Sequence, residues 1–348
     1  MKRLALIISI LIAASLLLGL AVSCAEKKEA PATTAPAAEK KEPVILRLSI
    51  PSPPGDKLTV NAEKLGQRLS ERTNGAYQIK VYPGEQLVKV PESLDAVRTG
   101  VVEMTSIGLG IFVGLNPGLA EVPLLYNNVR ANAAACRPSI ELYNQILKGK
   151  LNQVGLAAYT TGGQEMISKK PIKTLADWKG LLVGATNPEC AALASSLGGS
   201  PVVIMWTDCY SNLEKGVVDA VMTSTQWTII SKLSDVSKYV TRFYATPTFN
   251  TYTINLDTFN KMPKNVQDIL IEEAWKVSDE MAAVHIGLEK EDKATLEKLG
   301  MEVYDLPKAE RDKWVAAVKP YVDDKLTSLG DFGKKIREIA EKANKDNP

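Results

Sequence analysis

Val44-Ile-Leu-Arg-Leu-Ser-Ile50 is followed by Pro51-Ser-Pro-Pro-Gly55, and then by a run from Leu58 to Arg72 with apolar residues at helical spacing. The first piece alternates apolar and polar positions and is rich in β-formers, which predicts a strand. The prolines end it, and the helical run that follows stops at Asn74-Gly75. The unit then repeats. A strand is expected at 77–82, turned by Pro83-Gly84, then a helix at 91–99 closed by Gly100, then a third strand at 101–107. Further strands are expected at 154–159, 181–185, 202–205, 220–223, 239–242 and 251–255, with helices between most of them. Such alternation predicts α/β lobes with mainly parallel sheets, whose binding sites gather at the carboxyl ends of strands.

Residues 263–299 contain no internal proline and one glycine, Gly287. Ile269, Leu270, Ala274, Val277, Met281, Val284 and Leu288 recur at helical spacing, which predicts one or two long consecutive helices. That length exceeds an ordinary lobe element and suits a bridge between two lobes. His285, within it, reads as structural or solvent-facing. Glu289, Glu291 and Asp292, beside Lys290 and Lys293, read as a solvated helix face and not as a cation site.

The 348 residues suit two lobes, and a hydrophobic fraction of 45% provides a core and excludes global disorder. Lys2 and Arg3 are the only charges before Cys24, so the chain from Cys24 onward carries 40 basic and 40 acidic residues. This neutrality argues against a nucleic-acid partner. The single histidine excludes a His-rich metal site, and four cysteines are too few and too scattered for a disulfide scaffold or a zinc ribbon. Cys190–Cys209 is a conceivable bridge that spacing alone cannot establish. There is no Gly-x-Ser-x-Gly, no His-Glu-x-x-His and no phosphate loop, and Gly108-Leu-Gly110 with Gly114 has the wrong spacing for a dinucleotide fingerprint. No catalytic group, cofactor or metal is therefore expected.

The amino terminus reads as an address. Lys2-Arg3 precede an uncharged stretch from Leu4 to Val22, and Leu20-Ala21-Val22-Ser23 lead into Cys24. This is the pattern of an export signal ending at a lipidated cysteine, with an uncleaved signal anchor as the alternative. Either places the protein outside the cytoplasm, in the periplasm or at the cell surface. Residues 25–42 are Ala, Pro, Lys, Glu and Thr without apolar periodicity, and read as a disordered tether. Aromatic residues gather later, at Trp206, Tyr210, Trp227, Phe249 and Tyr252, in loops or at strand ends. They suit either core packing or a cleft wall that encloses a solute.

A distributed set of motifs carries a family resemblance across roughly residues 44–340. Leu94-Asp-Ala-Val-Arg-Thr-Gly-Val-Val-Glu-Met104 comes first, then Glu121-Val-Pro-Leu-Leu-Tyr126, Lys169-Lys-Pro-Ile-Lys-Thr174 and Asp177-Trp-Lys-Gly-Leu181. Leu197-Gly-Gly-Ser-Pro-Val202, Leu213-Glu-Lys-Gly-Val-Val-Asp219 and Lys261-Met-Pro-Lys-Asn-Val-Gln267 follow. Their order resembles the substrate-binding proteins of tripartite ATP-independent periplasmic (TRAP) transporters, in a lipoprotein form. The resemblance implies a two-lobed periplasmic-binding-protein-like α/β fold with a long helix spanning both lobes. It also implies a small organic solute enclosed by hinge closure, and docking on membrane permease subunits driven by an ion gradient. The expected divisions are a signal peptide at 1–23, a tether at 24–42, lobe I at 43–160 plus 251–290, and lobe II at 161–250 plus 291–348. A ligand-sensing module for a membrane receptor, using the same cleft, stands as the alternative.

The departures from the family bear on the ligand. Carboxylate-binding members resemble one another in an arginine on the strand after Lys-Gly-Leu, a second arginine seven residues before the proline now at 171, and an asparagine after the Val-Asp pair. Here those positions hold Gly184, Gln164 and Thr223. An Arg–carboxylate pair supplies two charge-assisted hydrogen bonds of about 1.5–3 kcal/mol each, so their loss argues against that mode. The expectation is a neutral, apolar or aromatic ligand among Trp206, Tyr210, Trp227 and Phe249, oriented by Gln164, Asn187, Thr223 and Gln226, with free space above Gly184. Arg242, at a strand end, is the best substitute anchor for an anion, ahead of Arg98, Arg130 and Lys169.

Overall fold

In β1 (Val44–Ser49), Leu46 and Leu48 are fully buried, with Ile50 just beyond it, as the alternation requires. The computed structural model describes residues 42–119 and 121–348, and Glu42–Pro348 form one compact unit. The expected signal peptide and Cys24, with all but the end of the tether, lie outside the described residues. After β1 the chain forms α1 (Lys57–Arg72), β2 (Tyr77–Tyr82), α2 (Ser93–Thr99), β3 (Met104–Gly108), α3 (Val129–Leu151) and β4 (Gln153–Tyr159). It continues with β5 (Gln164–Ser168), β6 (Leu182–Ala185), α4 (Pro188–Ser196), β7 (Ser200–Val203), α5 (Cys209–Glu214), β8 (Ala220–Ser224), α6 (Thr225–Ile230) and β9 (Tyr239–Arg242). Last come β10 (Asn250–Asn255), α7 (Leu256–Asn260), α8 (Lys264–Lys298), β11 (Glu302–Asp305), α9 (Lys308–Ser328) and α10 (Asp331–Asp346).

The strands form two sheets, ordered β2-β1-β3-β10-β4 and β11-β9-β5-β8-β6-β7. The chain passes between them three times, from β4 into β5, from β9 into β10 and, through α7 and α8, from β10 into β11. The first two passages contain no helix. β10 runs antiparallel to β3 and β4, and β5 runs antiparallel to β8 and β9. The β1–β2, β1–β3, β6–β7, β6–β8 and β9–β11 pairs are parallel. The sheets are therefore mixed and not mainly parallel: a strand that crosses between lobes without a helix cannot complete a parallel crossover. The sequence reading did not anticipate β5 or β11.

Helix α8 is a single helix of 35 residues. Leu270, Ala274, Val277 and Met281 pack in the core of the first sheet with Leu46, Leu48 and Tyr252, while Leu296 packs under the second sheet with Ile167 and Val240. One helix thus ties both lobes. Helix α10 packs through Ile336, Ala340 and Ala343 on the α3 cluster that holds Tyr143 and Ile146. The last helix therefore rests on the first lobe, where the sequence reading assigned all of 291–348 to the second.

The two helix-free crossings are stitched to each other. Thr248 accepts from the Thr161 N–H (2.9 Å) and donates to the Gly162 carbonyl (2.7 Å), and Tyr244 donates its hydroxyl to Asn132 Oδ1 (2.8 Å). A Cβ at Gly163 would sit 2.4 Å from the Tyr244 ring, so only glycine lets the crossings lie this close. Cys136, Cys190 and Cys209 are buried free thiols, which settles the conceivable Cys190–Cys209 bridge in the negative.

Candidate functional site

Two adjoining cavities lie where the strand ends of both sheets meet α8. The larger, of about 330 Å³, is lined by residues 51–53 and 56–58 after β1, by Trp206, and by Ser224, Gln226, Trp227 and Ile230 after β8. The smaller is lined by residues 161–163 after β4, by Glu165 and Arg242, and by Glu289 and Asp292 of α8. Thr161, Gln226 and His285 line both. The larger volume lies within the range of small-molecule sites, and the position at strand carboxyl ends is the expected one.

Local capping positions the walls. Asp56 Oδ1 accepts from the Leu58 N–H (2.9 Å) and caps α1, which fixes the proline loop at the mouth. Ser224 Oγ accepts from the Trp227 N–H (3.1 Å) and caps α6. The Trp227 indole N–H donates to the Trp206 carbonyl (3.2 Å), and the two rings meet edge to face with centroids 4.4 Å apart. Gln226 donates its amide to Asp292 Oδ1, joining α6 to α8. These bonds turn two half-buried indoles into one wall.

The charges are mostly committed. Glu165 is buried and accepts from the Phe243 N–H (2.6 Å) and the Tyr244 N–H (3.1 Å). Burial pushes its carboxyl up to about 7, against those bonds and the nearby Arg242 charge. Arg242 also pairs with Asp305 at 3.2 Å. Burial raises Asp292, opposed by Lys57, Gln226 and Arg242. His285 is 8% exposed and its Nε2 has no partner. Desolvation first, and the Lys57 charge second, lower it to about 4, so the imidazole is neutral near pH 7.

Of the expected site residues, the structure brings Trp206, Gln226, Trp227 and Arg242 to these cavities and places the others elsewhere. Phe249 is 3% exposed and packs edge-on between Tyr126 and Tyr143 in the core. Tyr210 packs against the core beneath the second sheet, and Thr223 is buried within β8. Asn187 caps α4, accepting from the Cys190 N–H at 2.7 Å. Gln164 accepts from Cys190 Sγ at 2.9 Å. The space expected above Gly184 is filled: a Cβ there would lie 2.5 Å from Ile204 Cδ1 and 2.9 Å from Val221 Cγ1. His285, Glu289 and Asp292, read from sequence as structural or solvated, line the cavities instead. Among the described residues no cluster of His, Cys, Asp and Glu could hold a metal ion, and no helix is long and apolar enough to cross a membrane.

Residues 49–328 match the sequence model of a family described as bacterial extracellular solute-binding protein, family 7. The chain is 27% identical over 285 residues to the 2,3-diketo-L-gulonate-binding periplasmic protein of Escherichia coli, covering 75% of this chain and 86% of that one. It is 26% identical over 299 residues to the C4-dicarboxylate-binding periplasmic protein of Rhodobacter capsulatus, covering 83% and 88%. Its fold is similar to that of an extracytoplasmic solute receptor of Bordetella pertussis crystallised with pyroglutamic acid. That match has a TM-score of 0.78 at 23% identity, covering 86% of this chain and 99% of the other.

Proposed function

The chain belongs to bacterial extracellular solute-binding protein family 7, and we propose that it encloses its solute in the cavities between the two sheets, at Trp206, Gln226, Trp227 and the inward face of α8. It is a solute-binding protein of a TRAP transporter and not an enzyme. It captures a small organic solute outside the cytoplasm and delivers it to membrane permease subunits driven by an ion gradient. The relatives are periplasmic receptors, which favours delivery over reporting to a sensor.

The observation that carries the site is a cavity of about 330 Å³ lined from both lobes and from the helix that joins them. A ligand touching both walls favours the closed form by the difference in its contacts between the two states. The hinge comprises the crossings at 160–163 and 243–249, together with α8. The lobes are 43–160 plus 251–290 and 161–250 plus 291–330, with α10 returning to the first. The relatives above are named for acids. This chain has glycine, glutamine and threonine at the positions where such members resemble one another, and Arg242 is held by Asp305 and Glu165. The solute is therefore held without the family's arginine anchor.

Native mass spectrometry of protein purified without unfolding tests the site. A noncovalent solute that is retained by the wild type and lost from Trp227→Ala supports it. A solute retained equally by both refutes it. We further propose that Cys24 carries a lipid and that residues 25–42 tether the folded part to a membrane, in keeping with the charge-free stretch that ends at a cysteine. Labelled fatty acid should enter the wild type and not Cys24→Ala, and the variant should leave the membrane fraction. Label in the variant counters the proposal.

A further inference from the structure

The inward stripe of α8 changes character where it crosses the cleft. Leu270, Ala274, Val277, Met281 and Leu296 on this stripe are 3% exposed or less. Between Met281 and Leu296 the same stripe, at spacings of four, four and three residues, carries His285, Glu289 and Asp292. Asp292 serves the fold by accepting from Gln226, but His285 Nε2 and Glu289 make no such bond among the described side chains. A buried nitrogen without a partner costs about 1–3 kcal/mol, and such a cost points to a function outside packing. His285 Nε2 is such a nitrogen, on a side chain that lines both cavities.

The charge around it has a sign. Asp56, Glu289 and Asp292 face the cavities, against Lys57 and Arg242, and Glu165, pushed up to about 7 by burial, adds a partial negative charge near that pH. Arg242 is engaged by Asp305, which it shares with Lys293, and by the nearby Glu165, and the imidazole carries no charge near pH 7. Glu289 has no ion pair among the described side chains, whereas Asp292 is held only by the neutral Gln226 amide. Lys57 is exposed at the mouth, where it could meet the carboxylate of a zwitterion. The Trp206–Trp227 pair walls the larger cavity, which adjoins the carboxylates' cavity at Thr161, Gln226 and His285, and indole faces attract cations by about 0.5–2 kcal/mol. A neutral imidazole nitrogen can accept a hydrogen bond from an ammonium group. A carboxylate ligand would meet two acids on α8 and no free arginine.

We propose that the cleft selects a small solute bearing a protonated nitrogen, held between the indoles of Trp206 and Trp227 and the carboxylates of Glu289 and Asp292, with His285 accepting from it. The inference rests on the cleft being the solute site. Isothermal titration calorimetry of the full-length protein tests it with matched probes, benzylamine against benzoate and tyramine against 4-hydroxyphenylacetate. Each amine should bind about tenfold more tightly than its carboxylate partner. Glu289→Gln combined with Asp292→Asn should remove that preference, and circular dichroism should show the variant folded. Both substituted side chains are part-exposed, so the fold tolerates neutral isosteres there.

Equal or tighter binding of the carboxylates overturns the inference, as does a preference that survives the double variant. Heat from neither probe also overturns it. In each of these cases the cleft still stands as the solute site if the co-purified solute is lost from Trp227→Ala. Binding unaffected by Trp227→Leu, whichever charge is preferred, overturns the site and the inference together.

Discussion

Gly184 offers a direct test of whether the missing family arginine leaves an open subsite. Its backbone is not in the left-handed region, so alanine brings no strain and gains about 0.5–1 kcal/mol over glycine in a strand. Its Cβ, however, would lie 2.5 Å from Ile204 Cδ1 and 2.9 Å from Val221 Cγ1, on side chains that are 8% and 0% exposed. Overpacking of this kind costs about 1–3 kcal/mol. Gly184→Ala should therefore destabilise by a net of about 1–2 kcal/mol. Ile204→Val removes the obstructing Cδ1 and alone should cost about 0.5–1.5 kcal/mol. In the double variant the new methyl occupies the vacated space, so the two costs should fall short of their sum by about 1 kcal/mol. Urea unfolding at constant slope measures all three variants. Additive costs, or a stabilising Gly184→Ala, would mean that the position faces free space and that a ligand subsite lies there after all.

Buried titratable groups give three further expectations. Glu165 is raised from 4.5 to about 7 in the folded state, so its stability contribution is full below pH 4.5 and is lost as pH rises through 7. Glu165→Gln should therefore stabilise by about 2–3 kcal/mol at pH 8 and by almost nothing at pH 4, as read from urea midpoints. His285 has the opposite sign: its folded value of about 4 lies below 6.5, so stability present above pH 6.5 is lost as pH falls to 4. His285→Gln should flatten that acid limb by about 3 kcal/mol. The Lys325–Glu189 pair, at 3.2 Å with Glu189 1% exposed, joins α9 to α4. Lys325→Ala leaves a buried charge and should cost about 3 kcal/mol, most of it recovered by adding Glu189→Gln.

The elements that sequence reveals are those whose pattern is local. β9 was expected at its observed bounds, and the long helix within one residue at each end, because period and breakers set them. β5 was missed because Gln164-Glu165 open it with polar residues, and Glu165 is buried only because β9 and its following turn supply N–H donors. β11 is a short, half-exposed edge strand with little apolar signal. At the site, Trp227 was legible as an aromatic just past the end of the strand expected at 220–223, and the Ser224 cap that fixes it there was not. Phe249 was misplaced because a one-residue change of facing sends an aromatic to the core or to the cleft, and composition does not encode that choice. The signal for His285, Glu289 and Asp292 was present as polar residues on an otherwise apolar stripe. It went unread because the charges were weighed with their sequence neighbours Lys290, Glu291 and Lys293, not with the stripe.

Hydrogen–deuterium exchange of the protein, with its co-purified solute and after that solute is stripped, tests the central claim most directly. The account predicts that the solute protects residues 51–58 of the first lobe, 224–230 of the second and 285–292 of α8 together, because one ligand bridges all three. Protection confined to one lobe, or absent from all three segments while the solute remains bound, would contradict it.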